Sequence, residues 1–168
     1  ATYVSFDLET TGFSVIHDGI TEFGAVKIKN GEVIDRLQSF IHPGKSIGTR
    51  VSQLTSITNE MVADAPSIKD FLPKILEFFE GSILVAHNAK FDIGFLNESL
   101  KRLGQEPIQN PVIDSLALAR AIMKPMKSYR LGNVCRVYRV NYDDEVAHRA
   151  DYDAEVLGSV FPTMLHSI

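Results

Sequence analysis

Asp7 and Glu9 alternate with apolar residues in Phe6-Asp7-Leu8-Glu9. On an extended strand that spacing puts both carboxylates on one face and Phe6 and Leu8 on the other. Two like charges held so close repel, and a divalent cation is their usual neutralising partner. A solvated strand end beside a polar turn accounts for the pair as simply, so Asp-x-Glu alone decides nothing. Asp92 falls in the first turn of an expected helix, where the helix dipole favours negative charge. Its neighbours Ala89, Phe91, Ile93, Phe95 and Leu96 are apolar; a carboxylate among them is partly desolvated and in need of a partner.

The remaining cluster is His148-Arg149-Ala150-Asp151-Tyr152-Asp153. At about 100° per residue, Asp151 and Asp153 are about 200° apart on a helix, so only one can face a sheet. Asp153 shares the stripe of Val156, Leu157 and Val160, which leaves Asp151 to the helix cap or the solvent. His148 belongs on the preceding loop, free to approach from outside. Carboxylates that gather divalent metal, with an imidazole able to take a proton, are the components of metal-assisted hydrolysis.

The elements that must position these groups are legible in outline. Tyr3–Leu8 and Thr21–Ile28 pattern as strands, and Asn30-Gly31 marks a tight hairpin into a third, Val33–Ile41, ended by His42-Pro43-Gly44. The stretch to Ala65 reads as loop with one or two helical turns. Ser67–Phe79 has helical spacing despite Pro73, which allows a kink or a later start. Ile83–Ala86 is a short strand leaving through His87-Asn88. Phe91–Leu103 is an amphipathic helix stopped by Gly104. Val112-Ile113 is a last strand, with Asp114 and Ser115 suited to the N-cap of the helix that follows. Helices near Leu131–Tyr138 and Tyr152–Leu165 complete the chain. Three strands on short turns, then strands alternating with helices, predict an α/β layered fold whose mixed sheet is antiparallel first and parallel later.

The 168 residues, 45% hydrophobic, suit one domain with a sizeable core. No apolar run reaches the roughly 20 residues of a membrane span, and the N-terminus lacks a basic, apolar leader. The one cysteine, Cys135, excludes an internal disulfide, reads as a buried inert thiol and agrees with a cytoplasmic location. The net charge of −4 is unusual for a phosphate-binding protein, but carboxylate-held cations supply positive charge where it is needed. The basic residues are also uneven. Arg120, Lys124, Lys127, Arg130, Arg136 and Arg139 occupy a stretch without an acid, and the other 11 basic residues face all 21 acidic ones. That run is either a strand-binding surface or a solvated helical face.

In order and spacing, Phe6-Asp7-Leu8-Glu9-Thr10-Thr11-Gly12, His87-Asn88-Ala89-Lys90-Phe91-Asp92 and His148-x-Ala150-x-x-Asp153 resemble the three motifs of the DnaQ-like (DEDDh) 3′→5′ exonucleases. The resemblance covers essentially the whole chain. It implies an RNase H-like fold with a five-stranded mixed sheet, and two Mg²⁺ or Mn²⁺ ions on Asp7, Glu9, Asp92 and Asp153. It also implies His148 as general base, since the tyrosine subtype would carry Tyr where Arg149 stands. Thr10, Thr11, Gly12, Phe13, Asn88 and Phe91 would line the terminal-nucleotide pocket; turn geometry for the first four and core packing for Phe13 and Phe91 are the plainer readings. Tyr3-Val4-x-Phe6-Asp7, Lys29-Asn30-Gly31-Glu32-Val33-Ile34-Asp35, Leu84-Val85-Ala86-His87-Asn88 and Asn110-Pro111-Val112-Ile113-Asp114 are most similar to the proofreading domains of PolC-type DNA polymerase III.

The expectation is therefore a single 3′→5′ exonuclease domain over residues 1–168, within or excised from a larger polymerase. It would act on single-stranded or frayed DNA 3′ ends, with a DNA polymerase in the same or an associated chain. Trimming of RNA 3′ ends by an oligoribonuclease-like enzyme is the alternative substrate reading. An inactive binding module of the same fold would be expected to lack one of the five residues. An RNase H-like endonuclease would need neither His148 nor the Thr-Thr-Gly turn.

Overall fold

The computed structural model describes residues 1–168 and sets Asp7 and Glu9 on the middle strand of a five-stranded sheet. Strands β1 (Thr2–Thr10), β2 (Ile20–Lys29) and β3 (Glu32–Phe40) form an antiparallel meander, and β4 (Ile83–Ala86) and β5 (Val112–Asp114) add in parallel beyond β1. The order across the sheet is β3-β2-β1-β4-β5, the mixed arrangement expected. At the β2–β3 turn Asn30 (φ 52°) and Gly31 (φ 78°) are both left-handed, as a two-residue hairpin of matching twist requires.

The helices are α1 (Thr49–Thr55), α2 (Asn59–Val62), α3 (Ile68–Phe79), α4 (Ala89–Arg102), α5 (Ser115–Ile122), α6 (Leu131–Val137) and α7 (Ala150–His166). One face of β1 sends Val4, Phe6 and Leu8 into a core shared with α3 and α4, where Phe6, Phe23 and Phe79 meet at ring-centroid distances of 5.1–6.3 Å. Each of these fully buried rings contributes about 1.5–3 kcal/mol from burial alone. On the opposite face Val85, Val134, Leu157, Val160 and Phe161 form a second core beneath α6 and α7. Asp7 and Glu9 belong to that second face, beyond the edge of its apolar packing.

Two helices start two residues before the predicted positions, α4 at Ala89 rather than Phe91 and α7 at Ala150 rather than Tyr152. Neither start has a side-chain cap, because their N-cap residues, Asn88 and Arg149, make no such bond. Tertiary acceptors serve instead. The Asn88 N–H donates to Asp114 Oδ1 (2.9 Å) and the Ala150 N–H to Glu22 Oε1 (2.8 Å). Caps supplied from distant strands leave no local signature.

The beginning of α7 rests directly on β2. Gly24 pairs in register with Asp7, and a Cβ at Gly24 would lie 2.4 Å from the Ala150 carbonyl carbon and the Asp151 nitrogen. Ser5 Oγ adds a bond to the Ala154 carbonyl at 2.8 Å. The missing side chain thus brings the α7 carboxylates to the strand that carries Asp7. Gly24→Ala is expected to destabilise the chain by about 1–3 kcal/mol in urea titrations through overpacking. Gly48→Ala, where a Cβ meets nothing within 4 Å, should stay within about 0.5 kcal/mol. Equal stability of the two variants would show that α7 does not depend on this close approach.

Candidate active site

Three elements deliver the acids: β1 carries Asp7 and Glu9, the first turn of α4 carries Asp92, and the first turn of α7 carries Asp153. Asp92 is 3% exposed, and its Oδ2 accepts the Leu8 N–H at 3.2 Å, fastening α4 to the strand between the two β1 acids. Asp153 is 9% exposed and accepts the Tyr142 hydroxyl at 3.2 Å. His148 is exposed, immediately outside α7, in a left-handed conformation with φ 64°. Ligand atoms of Glu9, His148 and Asp153 all lie within 4.8 Å of one another. Asp151 is exposed and turned to solvent.

The electrostatics link Asp7 to Asp92, Glu9 and Asp153, and Glu9 to Asp153 and Asp92. Burial pushes the Asp7 carboxyl well above its ordinary range, reinforced by the charges of Asp92, Glu9 and Asp153. Burial, then Asp153, Glu22 and Asp92, raise Glu9 to about 9, partly relieved by Arg149. Asp92 rises to about 8 through burial, against the lowering effect of the Leu8 N–H and of its hydrogen bond with Asp7. Burial also lifts Asp153 to about 6, opposed by the Tyr142 hydroxyl and the His148 N–H. Buried acids, two of them raised further by neighbouring carboxylates, fit a multivalent cation, which favours their ionised forms.

The pocket residues of the first motif lie on the turn after β1. Thr10 Oγ1 donates to the Gly12 carbonyl (2.6 Å), and Thr11 Oγ1 donates to Asp18 (2.8 Å) while accepting the Gly19 N–H (3.1 Å). Both hydroxyls are therefore committed within the turn. Phe13 stands 91% exposed and meets Phe91 edge-on at 6.2 Å; Phe91 in turn packs on Phe95 at 4.9 Å. Core packing thus describes part of the Phe91 ring and none of Phe13. Asn88 is exposed and left-handed (φ 71°) at the start of α4.

Glu22 and Tyr142, which carry no local sequence signal for the role, hold the His148 loop together with Arg149. Glu22 is 0% exposed and accepts from Arg149 Nε (3.0 Å) and Nη2 (3.2 Å), from the Ala150 N–H (2.8 Å) and from Gln38 Nε2 (2.9 Å). The Arg149 guanidinium also lies over the Phe40 ring at 4.9 Å. Tyr142 anchors the other side through Asp153, and the Tyr152 hydroxyl accepts the Asp143 N–H at 2.6 Å. The available signal for Glu22 is an acid near the start of a mostly apolar strand, Ile20–Ile28.

The sheet order, with acids carried on β1, α4 and α7, is that of an RNase H-like fold of the DnaQ-like exonuclease class. The fold is that of exonuclease X in complex with 5′ overhanging duplex DNA (TM-score 0.78, 23% identity, 99% of this chain and 91% of that one). It is equally that of an exonuclease I structure (TM-score 0.86, 19% identity, 99% and 41%). Residues 4–161 match the exonuclease (RNase_T) family, and the chain belongs to that family. It is 51% identical over 170 residues to the PolC-type DNA polymerase III of Ureaplasma parvum, and 42% identical over 165 residues to that of Bacillus subtilis. Those alignments take in 100% and 98% of this chain but only 12% and 11% of the relatives. The sequence likeness to PolC exonuclease domains is thereby confirmed.

A pH dependence follows from the raised carboxyls. With folded values of about 6 to 9 against ordinary values of 3.8–4.5, the folded chain binds more protons than the unfolded one across that range. The contribution of these carboxyls to metal-free stability is thus fully present near pH 4 and is lost as pH rises towards 9. A cation that replaces those protons should raise Tm more at pH 8.5 than at pH 6. Thermal melts with and without Mn²⁺ measure this; a Tm gain independent of pH would contradict it.

Proposed function

We propose that the chain is a 3′→5′ exonuclease domain that removes nucleoside 5′-monophosphates from single-stranded or frayed DNA 3′ ends. What supports this reading is that Glu9, Asp153 and His148 bring ligand atoms within 4.8 Å of one another, beside the hydrogen-bonded pair of Asp7 and Asp92. The four carboxylates are the ligands, and Mg²⁺ or Mn²⁺ fits their charge and oxygen donors. Two such ions, when bound, supply an acidified water and stabilisation of the leaving 3′-oxygen.

The chain's own residues do the rest. His148, exposed and within reach of Glu9 and Asp153, takes the proton from the attacking water. Glu22 and Arg149 position it by fixing the backbone on its C-terminal side, and Tyr142 orients Asp153. Phe13, standing out beside Phe91, offers a face on which a terminal base stacks. Thr10, Thr11 and Gly12 shape the turn that presents Phe13, and Asn88 borders the same opening. Nothing in this set reads base edges. A frayed or mismatched end is preferred because unpairing it costs least, where a paired end requires a few kcal/mol.

The PolC likeness supports a replication-proofreading role. Residues 1–168 would be one exonuclease unit working beside a DNA polymerase in the same or an associated chain, in the cytoplasm. No helix is long and apolar enough to cross a membrane, and Cys135 is buried with its thiol pushed up to about 11, an inert state.

On a 5′-labelled single strand with Mg²⁺ or Mn²⁺, stepwise shortening from the 3′ end is expected, abolished by EDTA and in Asp7→Ala. His148→Ala should lose about 10²–10⁴-fold in turnover, the usual worth of a general base, with metal affinity kept. Wild-type turnover in Asp7→Ala would overturn the ligand assignment, and lost metal affinity in His148→Ala would make the imidazole a ligand. Cleavage of a circular single strand would indicate an endonuclease. Parallel DNA and RNA strands decide the sugar preference.

A further inference from the structure

The acid-free stretch Arg120–Arg139 contributes nothing to the chemistry above, yet all six of its cations are exposed. Two are engaged or remote. Arg136 pairs with Asp144 at 3.2 Å, and Arg139 follows Tyr138, whose hydroxyl meets Ser167 at the end of α7 opposite Asp153. Arg120, Lys124, Lys127 and Arg130 form no ion pair. Arg120 lies close enough to His87 for its charge to be felt there.

The other three sit on the α5–α6 connection, which is held against the strand leading into the site. His87 Nε2 donates to the Tyr129 carbonyl (2.6 Å), leaving Nδ1 to accept the Ser115 hydroxyl (2.9 Å). The Tyr129 hydroxyl accepts the Met126 N–H (3.1 Å) and donates to the Lys124 carbonyl (3.3 Å), closing the connection on itself. His87 directly precedes Asn88 and the helix bearing Asp92, so the cations and the acidic hollow share a fixed point. The position is preorganised, and the unpaired side chains on it are free to meet anions.

We infer that Arg120, Lys124, Lys127 and Arg130 form a cationic ledge that takes the phosphodiester backbone of single-stranded DNA upstream of the terminal nucleotide. Charge complementarity selects this occupant. Outside the Arg120–Arg139 stretch 11 basic residues face 21 acidic ones, so the ledge is where a polyanion is tolerated. Flexible cations without acidic partners suit phosphates met as point charges, and they hold a strand without reading its sequence. The ledge offsets the repulsion that an acidic hollow exerts on incoming phosphate. This inference rests on the exonuclease reading and extends it to the part of the strand that is not cleaved.

The test compares hydrolysis of dT12, which has upstream phosphates, with that of the dinucleotide dT2, which has none. Lys124→Gln/Lys127→Gln/Arg130→Gln should raise KM for dT12 about tenfold or more at low salt and leave kcat and all dT2 kinetics within about twofold. Its log–log salt dependence should be shallower by about 2, at about 0.7 per single-strand phosphate contact. Lys69→Gln/Lys74→Gln/Lys101→Gln removes the same charge from α3 and α4 and should behave as wild type. An unchanged dT12 KM and salt slope in the ledge variant, or an equal loss in the α3–α4 variant, overturns the ledge alone. A wild-type chain that hydrolyses neither substrate removes the exonuclease reading and the ledge with it.

Discussion

Burial of Asp7, Glu9, Asp92 and Asp153, with repulsion felt at Asp7 and Glu9, is the constraint around which this chain is organised. Each carboxyl is driven up first by burial, and in Asp7 and Glu9 most clearly by the charges of the others. Protein groups relieve only part of this. The Leu8 N–H serves Asp92, the Tyr142 hydroxyl serves Asp153, and Arg149 acts on Glu9 from its seat on Glu22. A hollow kept deficient in positive charge is poised for divalent cations, and such a design costs stability in their absence.

Keeping that hollow assembled falls to contacts that contain no catalytic chemistry. Gly24 lets the first turn of α7 lie against β2 opposite Asp7. Glu22, wholly buried, takes the free N–H of Ala150 at the N-terminus of the same helix and the Arg149 guanidinium beside it. A buried carboxylate in this role both completes the helix end and fixes the residue next to His148. Removing one partner would leave the other charge buried and unpaired, the costly case for such pairs. The left-handed backbone of His148 is held between that anchor and the Tyr142–Asp153 bond.

How much of this was legible depended on whether a feature was local. The alternation around Asp7 and Glu9, the Asn30-Gly31 hairpin and the stripe containing Asp153 carry periodic or turn signals, and the mixed, antiparallel-then-parallel character of the sheet follows from the succession of elements. α4 and α7 start two residues before their sequence signals because the N–H groups of Asn88 and Ala150 are satisfied by Asp114 and Glu22, far away in sequence. Tyr142 and Glu22 escaped notice for the same reason: their roles are set by residues 11 and up to 128 positions distant. Thr10 and Thr11 read as pocket residues, and the structure commits their hydroxyls to the turn. The Arg120–Arg139 run could not be assigned from composition, because only the fold shows that part of it is tied to His87 beside the acids.

Whether the four acids act as one cation-binding unit is most directly measured by the number of Mn²⁺ ions bound per chain at pH 8, from isothermal titration with paramagnetic detection of neighbouring ions. Two ions close enough to couple magnetically are expected, with release of protons as they bind, and Asp153→Asn should leave no more than one. Saturation at a single ion, or a count untouched by Asp153→Asn, would mean that the carboxylates do not share metal and that the repulsion between them has some other purpose.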